Sequence, residues 1–467
     1  MKKIGLFCLV ICLLTTSVCL NTQVNATPID NAAVVSGSHS LDAGIPMLGT
    51  EQLISNARSA VLYECNTQTL MYAYNADEQM YPASLVKIMT ALIAAERGVM
   101  TDAVIVTEDV LNTVPDDAVS CDLQADEVLT LQDLLYCMMV DSANDAAAVI
   151  ADHISGSQEL FVAEMNRYAS EIGCTGTNFT NVHGLHDDQQ YTTARDMARI
   201  LAVAIKNETF RTVFGALDYT VPATNKSEIR NISTGNYLLT DDSALYYDSR
   251  VTGGRTGVTQ QGERCIAASA GDGDLQMISI LMGCESNYEQ DGYSAITIGG
   301  FQETSALLDL GLDDFSVTQV LFGGQALKQY SVANGNADVV VGPQVSVQTV
   351  LPKGFTELSY RFSDTIQFSA PIAKGQNISY LEIWYGDICV AQADLFALNA
   401  VPVQQMEVVD SADSKDTGVL STVFTVLGII VTALLAFVVV VRLVRSLRSA
   451  AVRNRSRRYR RNRRRSR

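Results

Sequence analysis

The sequence predicts an α+β protein: an antiparallel sheet with a helical region beside it, then a small β-sandwich, then one membrane-spanning helix. Three observations carry this. Apolar, strand-like runs stand near both ends of residues 51–310, with helical spacing between them. Over residues 317–402 the helix patterns stop and short alternating stretches take over. Residues 418–441 then run for 24 positions without a charge, enough to cross a hydrocarbon core of about 30 Å.

Taken in order, the chain opens on "MKKIGLFCLVICLLTTSVCLNTQVNA". A basic start, an apolar stretch and the small-residue site Val24-Asn25-Ala26 read as a secretion signal over 1–26. Residues 27–50 are a small, polar leader. In 51–310, "SAVLYE" and "TLMYAYN" flank a polar turn and predict a hairpin. "LVKIMTALIAAE", "LQDLLYCMMV", "NDAAAVIADHI" and "ARDMARILAVAI" carry helical spacing, and "CIAASA" and "QMISILMG" return as strands. In 317–402 alternation runs from Val345 to Val350, from Thr365 to Phe368, and from Tyr380 to Tyr385 ahead of a Gly386-Asp387 turn. Residues 403–417 read as a polar stalk. Thirteen Arg and no acid fill 442–467, directly after the apolar segment. Cations mark the cytoplasmic end of a spanning helix, so the tail is expected inside, against anionic lipid, and residues 27–417 outside.

Composition excludes several classes. At 48% hydrophobic the chain can build a core and is not a disordered one. The net charge of -18 hides a strongly acidic middle, -33 over residues 27–441, which argues against nucleic acid as a partner. Three of ten cysteines lie in the signal segment. The remaining seven are odd in number and contain no tight CxxC pair, so metal binding has no support. Several sit in apolar runs as core fillers. One disulfide can form outside the cell, but the spacing does not pair it.

The chemistry-bearing residues come in three short motifs. In "YPASLVKIMTALIAAE", Ser84 and Lys87 are three apart at the start of a helix, so both side chains share a face. A serine hydroxyl needs a base beside it, and a lysine serves when burial or a nearby cation lowers its pKa. Alone, SxxK is common by chance, and a helix-capping Ser with a solvated Lys explains it. In "LLYCMMVDSANDAAAVIADHI", Ser142-Ala143-Asn144 stands between two helical runs. Its hydroxyl can relay a proton and its amide can bind a peptide group, or either can simply cap a helix. Finally, Arg255-Thr256-Gly257 precedes the strand with Cys265. It reads either as a surface turn with one solvated cation or as a cleft wall whose cation and hydroxyl suit a carboxylate. The three motifs stand 58 and 113 residues apart, in the order of the active-serine penicillin-binding and β-lactamase set.

With these blocks, and with "TNFTNVHGLHDDQQYTTARDMARI" and "GERCIAASA", the chain resembles the low-molecular-weight penicillin-binding proteins, serine-type D-alanyl-D-alanine carboxypeptidases. The resemblance spans about residues 51–310, and the β-rich stretch to 402 resembles the family's second domain. It implies Ser84 as acylated nucleophile, Lys87 as general base, Ser142 as proton relay and Asn144 as holder of the substrate peptide. The backbone N–H groups of Ser84 and Val258 would form the oxyanion hole, with Arg255, Thr256 and Gly257 along the substrate's terminal carboxylate. His183 matches a family histidine near the cleft, or is a structural turn residue. No metal or organic cofactor is implied. The implied partners are the peptidoglycan stem peptide, β-lactams as inhibitors, and the membrane.

Two departures stand out. Arg255 replaces the family's usual Lys; it supplies charge but cannot carry a proton. In "STGNYLLT" only Asn236 clearly remains of the family's loop. Two rival readings follow: a β-lactamase, for which no second carboxylate base appears in an ExxLN-like segment, and a silent cell-wall scaffold.

Overall fold

The computed structural model describes residues 53–240, 246–288, 295–363, 367–404 and 417–462. The expected signal segment and leader lie outside the described residues, as do 405–416 of the stalk, 364–366 of one expected strand and the last five residues of the tail.

Five antiparallel strands make the central sheet: β1 (Ser59–Glu64), β2 (Thr69–Tyr74), β3 (Val251–Thr259), β4 (Glu263–Asp272) and β5 (Leu275–Cys284), in spatial order β2-β1-β5-β4-β3. The expected β1–β2 hairpin forms, with Ala60 opposite Tyr74 and Glu64 opposite Thr69. The buried Glu64 carboxylate closes its turn by accepting from Thr67 N at 2.7 Å and Thr67 Oγ1 at 2.6 Å. Both faces of the sheet are covered. Val61, Cys265, Ile278 and Ile280 turn toward the helical region, while Leu62, Ile266, Met277 and Leu281 turn the other way. That is why these strands read as unbroken apolar runs rather than alternating ones. β3 is left as an edge, and this edge faces the cleft.

The helical region holds α1 (Val86–Arg97), α2 (Leu131–Val140), α3 (Asn144–Ser155), α4 (Gln158–Glu171), α5 (Ala194–Ala204) and α6 (Glu208–Phe214). α1 runs through its centre, buried from Val86 to Ala94. α2 starts on a capping box, in which Thr130 accepts from Asp133 N and Asp133 accepts from Thr130 N. α4 carries little helical periodicity in its sequence. Its buried residues are only Phe161, Met165 and Ala169, one per turn, and the stripe is too thin to register.

On the opposite face lies α7 (Phe301–Asp314), with Phe301, Leu307 and Leu308 in the core. It crosses the expected boundary at 310, and the β-rich part begins at the next residue, Phe315. There β6 (Phe315–Leu321), β7 (Val339–Gly342), β8 (Val347–Pro352), β9 (Asn377–Tyr385) and β10 (Ile388–Ala397) carry the layers. β7, β10 and β9 belong to a five-stranded sheet, and β6 pairs with β8 as a ribbon. Leu321, Val347 and Leu351 of the ribbon share a core with Val341, Leu381 and Leu395 of the sheet. Val350 turns from the same ribbon into the core beneath α7, so the two parts are locked through one element.

A separate unit follows. α8 (Thr417–Asn462) contains Thr422–Leu443, long and apolar enough to cross a membrane by length and composition. It continues through the first Arg residues after 441 as one helix to Asn462.

Candidate active site

Ser84 lies in a 3-10 turn, Ala83–Leu85, that feeds directly into α1. Lys87 is one turn further along and its side chain is fully buried. Two backbone positions at the cleft are in the left-handed region without being glycine: Ala83 at φ 49° and Ser142 at φ 67°. Such residues cost on the order of 1–3 kcal/mol each and persist only where packing over-determines them. Two glycines show what that packing is. A Cβ on Gly184, itself at φ 91°, would lie 2.0 Å from the Ala83 carbonyl oxygen. On Gly257 a Cβ would lie 2.4 Å from Ser84 N and 3.0 Å from Ser84 Cα. The turn that carries Ser84 is therefore gripped between the loop after Val182 and the edge strand β3.

The hydrogen bonds then form one network. Lys87 Nζ donates to the backbone oxygen of His183 at 2.6 Å and to Asn144 Oδ1 at 2.8 Å, and stands 3.3 Å from Ser84 Oγ. Ser84 Oγ lies 3.3 Å from Ser142 Oγ. Ser142 Oγ accepts from Arg255 Nη2 at 2.6 Å, and Arg255 Nη1 donates to the Met139 carbonyl at 2.7 Å. Asn144 is fixed in turn: its N and Nδ2 donate to the Val119 carbonyl at 2.8 and 2.9 Å. Asn144 begins α3, whose N-cap is Ala143, so its amide is not spent on capping.

Electrostatics follow from this burial. Desolvation first, and the Arg255 cation second, hold the Lys87 amine well below its usual pKa, while Asp145 pulls the other way. A neutral amine has two N–H groups and one lone pair. The two carbonyl oxygens can only accept, so they take both N–H groups. The lone pair is left for the one neighbour that can donate, Ser84 Oγ. Asp145 itself is fixed by Ser120 Oγ at 2.6 Å, Cys121 N at 3.1 Å and Leu123 N at 3.1 Å.

Of the two readings of Arg255, the surface turn is set aside: residues 254–257 lie inside β3. Arg255 is only 4% exposed and its guanidinium is turned inward to Met139 and Ser142, so it is not presented openly to a carboxylate. Burial pulls its pKa down to about 10, which leaves it a cation at neutral pH. Thr256 stands half-buried beside it, and Val258 is exposed on the same edge.

His183 contributes through its backbone. Its ring accepts from Leu185 N at Nδ1, 3.2 Å away, and is buried. Burial, and then the Lys87 charge, push its pKa down to about 3, so the ring is neutral across the working range. Asn236 accepts from Leu238 N at 3.1 Å and packs against Gly254, where a Cβ would lie 2.2 Å from its Nδ2. The carbonyls of Val119, Met139 and His183 escaped sequence reasoning, since a backbone acceptor leaves no signature in residue type.

The family model described as D-alanyl-D-alanine carboxypeptidase matches residues 48–286, and that of the penicillin-binding protein 5 C-terminal domain matches 315–403. D-alanyl-D-alanine carboxypeptidase DacA of Haemophilus influenzae is 30% identical over 357 residues, covering 74% of this chain and 85% of that protein. DacF of Bacillus subtilis is 27% identical over 341 residues, covering 71% of this chain and 82% of its own length. Among solved structures, penicillin-binding protein 5 from Haemophilus influenzae superposes with a TM-score of 0.61 at 31% identity, over 74% of this chain and 98% of that one.

Two outcomes follow from this geometry. Gly257→Ala drives a Cβ into the Ser84 backbone and is expected to slow Ser84 acylation by about tenfold or more while the chain stays folded; stopped-flow labelling with circular dichroism as a fold control measures both. For His183 the folded pKa lies below the unfolded one. Its contribution to stability is full above about pH 6.5 and is lost as pH falls toward about 3. Between about pH 6.5 and 4.5 the parent is expected to lose about 2 kcal/mol that His183→Asn does not lose, read from urea titrations at both pH values.

Proposed function

The chain belongs to the D-alanyl-D-alanine carboxypeptidase family, and from that premise we propose how its cleft carries out the reaction. It is a penicillin-binding serine peptidase of the cell wall. Its substrate is the peptidoglycan stem peptide ending in D-alanyl-D-alanine. The observation that carries the reading is the fully buried Lys87 amine, held by two carbonyl oxygens at 2.6 and 2.8 Å and standing 3.3 Å from Ser84 Oγ, the neighbour left for the lone pair of a neutral amine.

Lys87 takes the Ser84 proton as Oγ attacks the carbonyl carbon of the penultimate D-alanine. The oxyanion is received by the backbone N–H groups of Ser84 and Val258, on the turn and the edge strand that Gly257 brings together. Asn144 holds the substrate's peptide group when the acyl chain lies along β3. Ser142 gives its proton to the leaving D-alanine nitrogen. Its oxygen already accepts from Arg255, which can only donate, so the Ser142 O–H is turned away from Arg255 toward the cleft. The proton on Lys87 then restores Ser142. Water cleaves the Ser84 ester, again with Lys87 as base, and a β-lactam acylates the same oxygen. Thr256 takes the terminal carboxylate, while Arg255 acts on it through charge and through Ser142.

This chemistry belongs outside the cell. The apolar helix anchors the chain, and the arginine-rich end stays inside against anionic lipid. A β-lactamase reading is not favoured, because the matching family model and curated relatives are D-alanyl-D-alanine carboxypeptidases and no ExxLN-like segment in the sequence supplies a second carboxylate base.

Ser84→Ala is expected to abolish both labelling by a fluorescent penicillin and D-alanine release from a pentapeptide by the full-length chain. Persistence of either would refute Ser84 as nucleophile, and absence of both in the parent would support a silent scaffold. Arg255 lowers the Lys87 pKa, so Arg255→Ala raises it and leaves less neutral amine at pH 7. Acylation is expected to fall on the order of tenfold at pH 7 and to recover as pH rises, while Arg255→Lys stays near or above the parent. A parent-like pH profile in the alanine variant would contradict this role.

A further inference from the structure

Two cysteines outside the catalytic network touch. Cys121 Sγ and Cys137 Sγ are 2.8 Å apart, and both residues are buried. Cys121 belongs to the segment that holds the SxN motif from behind. Val119 supplies the carbonyl bound twice by Asn144, while Ser120 Oγ and the N–H groups of Cys121 and Leu123 hold Asp145. Cys137 lies on α2, and its carbonyl accepts from Ala143 N at 3.2 Å, inside the motif itself. The pair thus faces the cradle of Asn144 on one side and the approach to Ser142 on the other.

We propose that Cys121 and Cys137 form a disulfide that staples the segment 119–123 to α2 and so fixes the SxN motif. The oxidant is an external disulfide, a small molecule or an oxidoreductase of the exported space. One cysteine thiolate attacks it and releases the first thiol; the second thiolate displaces the other thiol and closes the bond. Two protein thiols and one disulfide thereby become one protein disulfide and two small thiols. The neighbouring Cys121 thiol and burial push the Cys137 pKa up, so the folded pair exchanges poorly. The bond therefore forms while the chain folds and is protected once α2 packs. Closing so short a loop removes freedom chiefly from the unfolded chain. The supply of oxidant rests on the extracytoplasmic reading above; the pairing rests on the contact alone.

The full-length chain is extracted from expressing bacteria with its thiols alkylated under denaturing conditions, then digested without reductant. The expected product is a peptide pair linked through Cys121 and Cys137. In parallel, the reduced, denatured chain is refolded in a mixture of reduced and oxidised glutathione. Linkage in both overrides neither reading and supports the pair. Linkage only after refolding supports the pair and contradicts the extracytoplasmic placement. Alkylated Cys121 and Cys137 in both, or linkage to a different cysteine, overturns the pair. Reductant during heating is expected to lower the melting temperature of the oxidised chain by roughly 5–10 °C. The double variant Cys121→Ser with Cys137→Ser is expected to melt low and to ignore reductant. An equal response of parent and variant overturns the stapling role.

Discussion

The cleft depends on a lysine nitrogen that has been removed from water. Burying an amine this completely is unfavourable unless it neutralises or finds strong partners. Here both happen together: Asn144 Oδ1 and the His183 carbonyl take its two N–H groups, and the Arg255 cation nearby makes protonation harder. Everything that shapes the site follows from keeping those acceptors in place. α3 must begin at Asn144 with its amide free of capping, and the Val119 carbonyl must hold that amide in one orientation.

Strain is part of the same arrangement. Ala83 and Ser142 occupy backbone conformations that non-glycine residues avoid; one precedes Ser84 and the other carries the hydroxyl that meets Ser84 Oγ. Two glycines make room for the Ala83–Ser84 turn by lacking a Cβ at opposite sides of it: Gly184 over the Ala83 carbonyl and Gly257 over Ser84 N. A sheet covered on both faces and a helix buried from Val86 to Ala94 supply the rigidity that such positions need. The arginine at 255 fits this frame as a fixed donor. It anchors the Ser142 oxygen and the end of α2, and in the proposed mechanism it leaves proton transfer to the lysine and the two serines.

Much of this was legible in residue type. The hairpin β1–β2, helices α1, α2, α3 and α5, and strands β4 and β5 follow from period and from turn residues. The D-alanyl-D-alanine carboxypeptidase activity follows from three motifs in order, together with their flanking blocks. Other features were hidden for physical reasons. α4 buries one residue per turn, too thin a stripe to separate from a polar loop. α7 crosses the point where the texture changes, because its apolar face serves the sheet while the strand after it starts the next layer. The inward turn of Arg255 depends on where the Met139 carbonyl ends up, and the meeting of Cys121 with Cys137 depends on how a loop folds back on a helix. Neither can be read from spacing.

The most direct test of the account is a titration of Lys87 itself. In the full-length chain carrying 13C at lysine Cε, the Lys87 resonance is assigned by its loss in Lys87→Arg and followed with pH. The account predicts a midpoint clearly below the ordinary lysine value of about 10.4, with the resonance of a neutral amine persisting under conditions where the surface lysines are charged. A Lys87 signal that titrates with the surface lysines would mean a cation beside Ser84. It would contradict the assignment of this amine as the base.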